Sequence, residues 1–179
     1  MIIEANHIPL TIVNRDLDLP EIQGDPVLIS QEKCKLAAVE VGGPAMVEDT
    51  SLCLNALNGM PGPYIKFFLK ACGNEGLWNM IKAYSDKTAY AQCCMSFSLG
   101  PGCEPVTFVG RTDGTITSPC GAGGFGWDAI FIPRGYDLSF ASMPQEEKNK
   151  ISHRSDALAK FAAYLKENLD ALIQQQARC

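Results

Sequence analysis

At 179 residues, with 46% hydrophobic and 20% charged side chains, the chain has the length and balance of one globular domain with a core of its own, which excludes a disordered or fibrous protein. A formal net charge of −5 and a pI near 5.0 exclude general affinity for a nucleic-acid polymer, yet leave room for a nucleotide held in a local basic pocket. No apolar run is long enough to span a bilayer and no secretory signal opens the chain, so the expectation is a cytoplasmic protein with no membrane partner.

In chain order, residues 1–5 read as the tail of a helix without a beginning, and residues 10–13 as a short strand. An acidic loop punctuated by Pro20, Gly24 and Pro26 carries Glu21. Ser30 is expected to cap a helix over residues 30–41, with Glu32 and Lys33 in its first turn and Gly42-Gly43 ending it. Taken alone, Lys33 reads as a solvated surface lysine.

The stretch 45–66 is the centre of the pattern. Ala45-Met46-Val47 suits a buried strand that ends in Glu48 and Asp49, and in open α/β sheets ligands sit just beyond such strand ends. A turn-rich loop from Asn58 to Pro63 leads into a helix over residues 64–72, with Lys66 in its first turn and Gly73 as its C-terminal cap. Acids able to hold a hard cation beside donors able to hold phosphate point to metal-assisted phosphate chemistry. An ordinary strand–loop–helix with a solvated acid pair fits this stretch as well.

Asn74 should cap a further helix to residue 84, with Leu77, Met80, Ile81 and Tyr84 on one face. Residues 87–99 alternate as a long strand, and Pro101-Gly102 turns it. Residues 106–111 form the next strand, and Asp113-Gly114 reads as a hairpin turn into residues 115–118. The glycines of Gly121, Gly123, Gly124 and Gly126 let backbone approach a ligand, with Phe125 and Trp127 as stacking candidates and Asp128 as an acceptor for a base edge. A glycine-rich hairpin with one core aromatic is the plainer reading. Residues 129–132 read as a strand ended by Pro133. Pro144 opens a helical region in which Leu158, Phe161, Leu165, Leu169 and Leu172 form an apolar stripe, and Lys148, His153 and Arg154 gather near its beginning.

The eight cysteines form no C-x-x-C pair and only His7 and His153 accompany them, so reduced intracellular thiols are expected rather than a disulfide scaffold or a zinc site.

Four separated stretches, Val47-Glu48-Asp49-Thr50-Ser51-Leu52, Gly59-Met60-Pro61-Gly62-Pro63-Tyr64-Ile65-Lys66, Phe125-Gly126-Trp127-Asp128 and Ser152-His153-Arg154, occur in the order seen in inosine triphosphate pyrophosphatases, and the chain resembles that family from about residue 10 to 165. The resemblance implies hydrolysis of the non-standard purine nucleotides ITP, dITP and XTP to monophosphate and pyrophosphate, with Mg²⁺, or Mn²⁺ in its place. It implies an α/β fold of two lobes, a mixed twisted sheet with flanking helices and a central nucleotide cleft, and a homodimer. By the same resemblance Asp49 is the catalytic carboxylate, and Glu21, Glu48 and Asp49 hold the metal. Lys33, Lys66 and Lys148 hold phosphates. Phe125 stacks on the purine with Gly126 and Trp127 beside it, while Asp128, His153 and Arg154 read its edge. Members of the family begin earlier, with a strand and a phosphate-binding loop that this sequence does not show. Residues 1–179 are therefore expected to form a single, N-terminally incomplete pyrophosphatase domain, with a weakly active or inactive nucleotide-binding variant as the alternative.

Overall fold

The computed structural model describes residues 12–121 and 124–176. Its elements are α1 (Pro26–Val41), β1 (Ala45–Leu54), β2 (Pro61–Gly62), α2 (Ile65–Ile81), β3 (Thr88–Ser98), β4 (Val106–Ile116), β5 (Phe131–Pro133), α3 (Gln145–Ile151) and α4 (His153–Gln176). The strands form one five-stranded sheet in the order β2-β1-β3-β4-β5, with antiparallel pairing of β1 to β2 and of β4 to β5. This is the expected α/β class. β3 holds the middle of the sheet, and its unbroken buried run from Cys93 to Ser96 is what a strand covered on both faces requires. Among the described residues no helix is long and apolar enough to cross a membrane.

The chain divides into two compact units. One comprises Met1–Asp49, Cys94–Gly110 and Asp156–Cys179, the other Thr50–Cys93 and Arg111–Ser155. In the first, α1 buries Ile29, Cys34, Ala37 and Ala38, and Ser30 and Cys34 bond to the carbonyls of Cys94 and Ser96 on β3. The α4 stripe supplies Phe161 and Leu165, and the Phe161 ring lies 5.5 Å from both Phe97 and Phe108. Leu158 and Leu169 of the expected stripe are only half-buried. In the second unit Leu52, Leu54, Leu77, Ile81, Ile130 and Phe131 are the centre of the core.

Several expectations are corrected. Ser30 does not cap α1: Asp25 does, its Oδ1 accepting from the Val27 and Leu28 N–H groups at 3.0 and 3.1 Å, with Pro26 as the first helical residue. An Asp–Pro start is the stronger signal, because the carboxylate meets two orphan donors and proline has no N–H to orphan. Ser30 is therefore interior and buried, and Lys33 sits two turns into the helix rather than in its first turn. β1 does not end at the acid pair but runs through it to Leu54. Asp113-Gly114 makes no hairpin: β4 continues through it to Ile116, and Gly114 pairs with Pro133 of β5. A Cβ there would lie 2.4 Å from the Ile132 carbonyl oxygen and 2.6 Å from Phe131 Cζ, so this glycine serves close approach of a neighbouring strand, not a turn. Asp128–Ile130 is a 3₁₀ turn, which shortens the expected strand to β5. Ile12 and Val13 have no regular structure, while residues 1–5 and 10–11 of the expected helix tail and strand lie outside the described residues.

The predicted break after residue 72 is present. Gly73, at φ 65° and ψ −174°, interrupts α2, which then runs to Ile81. The seven described cysteines are free thiols, and Cys179 lies outside the described residues.

Candidate functional site

The first cluster belongs to the unit that contains α1. Lys33 emerges from α1 with its ammonium bonded to Asp49 Oδ1 on β1 and 3.5 Å from Glu21 Oε1 in the preceding loop. All three side chains are largely buried, at 15% exposure for Lys33, 19% for Glu21 and 22% for Asp49. Partial burial leaves this arrangement less screened by solvent and salt than a surface ion pair, at the cost of desolvating its charges. Asp49 Oδ2 is buried and meets no hydrogen-bond partner. The carboxylate thus has one oxygen fixed by a cation and one buried oxygen whose hydrogen-bonding capacity is unused, the arrangement expected of a base or a metal-binding group. Alternation along β1 directs Glu48 to the face opposite Asp49. Among the described residues no group of three or more His, Cys, Asp or Glu side chains comes together as a metal site.

The second cluster lies in the other unit and is built on the turn 124–128. Gly124 and Gly126 take positive φ, 89° and 55°, which bends the backbone so that Phe125 is thrust outward with 77% of its surface exposed. The Asp128 carboxylate fastens this turn. Its Oδ2 accepts from the Phe125 N–H at 2.6 Å and from the ammonium of Lys148 on α3. With Asp128 only 3% exposed and its Oδ2 so engaged, the side chain first of all positions Phe125 and Lys148. Trp127 is buried, with its ring 5.5 Å from both Phe131 and His153, so it supports the turn from the core and offers no open stacking face. Gly126 contributes its carbonyl, which accepts from Asn74 Nδ2 at 3.0 Å.

His153 opens α4, where the Ser152 hydroxyl accepts from the Ser155 N–H at 3.2 Å as the cap. Its ring stacks on Phe140 and packs at a tilt against Trp127. Burial first, and the neighbouring charges of Lys148 and Arg154 second, push its pKa down to about 4. It is therefore a neutral imidazole at physiological pH, and its Nδ1 is buried without a partner. Lys66 on α2 and Arg154 on α4 are exposed.

The structure thus brings Glu21, Lys33 and Asp49 together, and separately Phe125, Asp128, Lys148 and His153. Phe140, which lies 5.1 Å beneath the Lys148 ammonium and stacks on His153, went unrecognised, and no sequence signal marks it. Asn74 was legible only as a helix cap.

The sequence pattern of the Ham1 family matches residues 2–164. The chain belongs to the Ham1 family. A curated relative, the inosine triphosphate pyrophosphatase of Emericella nidulans, is 51% identical over 158 residues, covering 88% of this chain and 85% of the relative. Among solved structures, the Ham1 protein of Staphylococcus aureus superposes with a TM-score of 0.76 at 30% identity over 86% of this chain and 82% of its own. The nucleoside-triphosphatase (dITP/XTP pyrophosphatase) of Mycobacterium abscessus gives 0.68 at 28% identity, over 83% of this chain and 82% of its own. As a Ham1 protein the chain has the fold class read from its sequence.

Proposed function

We propose that this protein hydrolyses the non-standard purine nucleoside triphosphates ITP, dITP and XTP at the α-phosphorus, giving the monophosphate and pyrophosphate. The observation that carries the reading is the Asp49 carboxylate, with one oxygen held by Lys33 and the other buried and unpaired. Identity of 51% to a named inosine triphosphate pyrophosphatase supports the same activity class.

Asp49 accepts a proton from the attacking water through its second oxygen, and Lys33 holds the first oxygen and so orients the carboxylate for that transfer. Lys33, Lys66 and Lys148 act on the phosphates as point charges. Phe125 offers its exposed face to the purine. His153, kept neutral by burial, meets the base edge as a hydrogen-bonding group without adding charge. Arg154 donates to a 6-oxo group. Adenine presents an amino group there, which leaves donors facing each other, and an unmatched polar pair of that kind gives strong rejection. The unpaired Asp49 oxygen and the nearby Glu21 carboxylate are hard donors that fit Mg²⁺, or Mn²⁺ in its place, whereas Glu48, on the opposite face of β1, does not join them. When bound, such an ion neutralises phosphate charge and lowers the pKa of water. The protein acts as one catalytic domain, as a cytoplasmic homodimer.

The test is pyrophosphate release from ITP, dITP, XTP, GTP and ATP, with Mg²⁺ and with EDTA. The 6-oxo non-standard substrates should be turned over at least tenfold faster than ATP, with no turnover in EDTA. Arg154→Ala should narrow the ITP-to-ATP ratio more than it weakens binding of phosphate alone. Equal turnover of ATP, or an unchanged ratio in that variant, would overturn the reading of the purine edge.

A further inference from the structure

Asn74 stands directly after the helix break at Gly73, where an asparagine ordinarily caps the helix that follows by accepting from its first free N–H groups. It does not do so. Its Oδ1, the atom that would make the cap, is buried and has no hydrogen-bond partner. Its Nδ2 instead donates to the Gly126 carbonyl at 3.0 Å, 52 residues further along the chain. A buried acceptor left without a donor keeps its desolvation cost, and an unused cap forgoes a stabilising contact at the helix start. The fold accepts both losses at one side chain in order to make one bond.

That bond lands on the residue next to Phe125. The turn carrying Phe125 is held from inside by the Asp128 carboxylate on the Phe125 N–H. Around it Gly124 and Gly126 both sit at positive φ, and glycine backbone is the least restrained of any. On its Asp128 side the turn is fastened twice, by the Phe125 N–H on the carboxylate and by the Asp128 N–H on the Phe125 carbonyl at 2.9 Å; the bond to Gly126 adds a fastening from α2 that lies outside the turn itself and fixes the plane of the exposed ring. Gly73 makes this reachable. A Cβ on Gly73 would meet nothing within 4 Å, so the residue is needed for its φ of 65° and not for space.

We propose that Asn74 is a positioning residue, which clamps the Gly126 carbonyl and so presents the Phe125 ring at a fixed angle to the purine of the substrate. The inference rests on the reading of Phe125 as a base platform. The clamp favours binding of the base and has no part in binding the triphosphate or in the attack of water.

Asn74→Asp separates this role from a structural one. Aspartate is an equally good helix cap, but it turns an acceptor toward the Gly126 carbonyl and breaks the clamp. The variant should unfold at the same temperature as the parent or higher, while KM for ITP rises about five- to thirtyfold and kcat changes less than twofold. The inhibition constant of inorganic tripolyphosphate, which has no base, should not change. In hydrogen exchange the amides of residues 125–127 should exchange faster than in the parent and those of residues 75–77 should not. An unchanged KM for ITP, or an equal rise in KM and in the tripolyphosphate constant, would overturn the role in base binding. Unchanged exchange at residues 125–127 would overturn the clamp itself. If the parent protein turns over no ITP, it is the functional reading that fails, and the exchange measurement still decides the clamp.

Discussion

At the scale of single residues, the two groups with unpaired buried atoms in the proposed chemistry make opposite demands. Asp49 acts through its carboxylate, and Lys33 beside it holds one of the two oxygens in place. Asp49→Asn keeps the shape and loses the base, so kcat for ITP should fall by several orders of magnitude. The thermal midpoint should move by only a few degrees, because Lys33 retains Glu21 as a partner. Near-normal turnover of ITP would remove Asp49 from the mechanism. His153 must be neutral. Its pKa is about 4 in the folded protein against 6.5 for a free histidine, so between these values the unfolded chain binds a proton that the folded one does not. Stability should therefore be undiminished by His153 above pH 6.5. It should decline as pH falls toward 4, by roughly 3 kcal/mol in total, and then level off for this group. Denaturant titrations from pH 7.5 to 4 should show this slope in the parent and a shallower one in His153→Gln; parallel curves would exclude His153 as its source. Asp49 was legible from sequence as an acid beside a turn and a helix start, and His153 only as one of two histidines. The neutrality of His153 was not legible, since it comes from the rings of Trp127 and Phe140 packed on it.

Among the elements, the longest were the easiest to read. The limits of β3 fall within a residue of the alternating pattern, and the glycine break in α2 is where glycine and asparagine placed it. The misreadings were local signals overruled by a distant neighbour. Asp113-Gly114 has the composition of a tight turn, but the glycine is there because β5 crosses it, and nothing near Gly114 in sequence announces β5. Gly114→Ala tests this. A turn glycine of ordinary φ would tolerate alanine at a cost below about 1 kcal/mol, whereas overpacking against Ile132 and Phe131 should cost about 2–4 kcal/mol. A drop in midpoint large enough to fit the second figure is expected in thermal unfolding, and a near-silent variant would mean that β5 can step aside. The start of α1 was misplaced for a similar reason. Ser30 looks like a cap, but its hydroxyl is engaged with the Cys94 carbonyl and Ser96 in the interior.

For the molecule as a whole, the buried cysteines set a condition on how it can fail. Cys34, Cys53, Cys93 and Cys94 are all buried, and burial pushes the Cys34 thiol up to about 11 and raises Cys53 as well. A thiol near 11 is almost wholly protonated at pH 8, whereas in an open chain it ionises near 8.5, so unfolding multiplies its reactive thiolate by roughly two powers of ten. The native state thus conceals from oxidants a set of sulfurs that the open chain offers all at once, with Cys93 and Cys94 adjacent. A disulfide formed in the open chain between groups that belong in separate strands cannot be accommodated on return. Each excursion then becomes one-way, and persistence of the protein is governed by the rate of opening and the oxidant present rather than by an equilibrium. Repeated thermal scans should recover the transition when a phosphine reductant is present and lose it, with a scan-rate-dependent midpoint, when it is absent. Full recovery in air would show that the open chain refolds before its thiols meet.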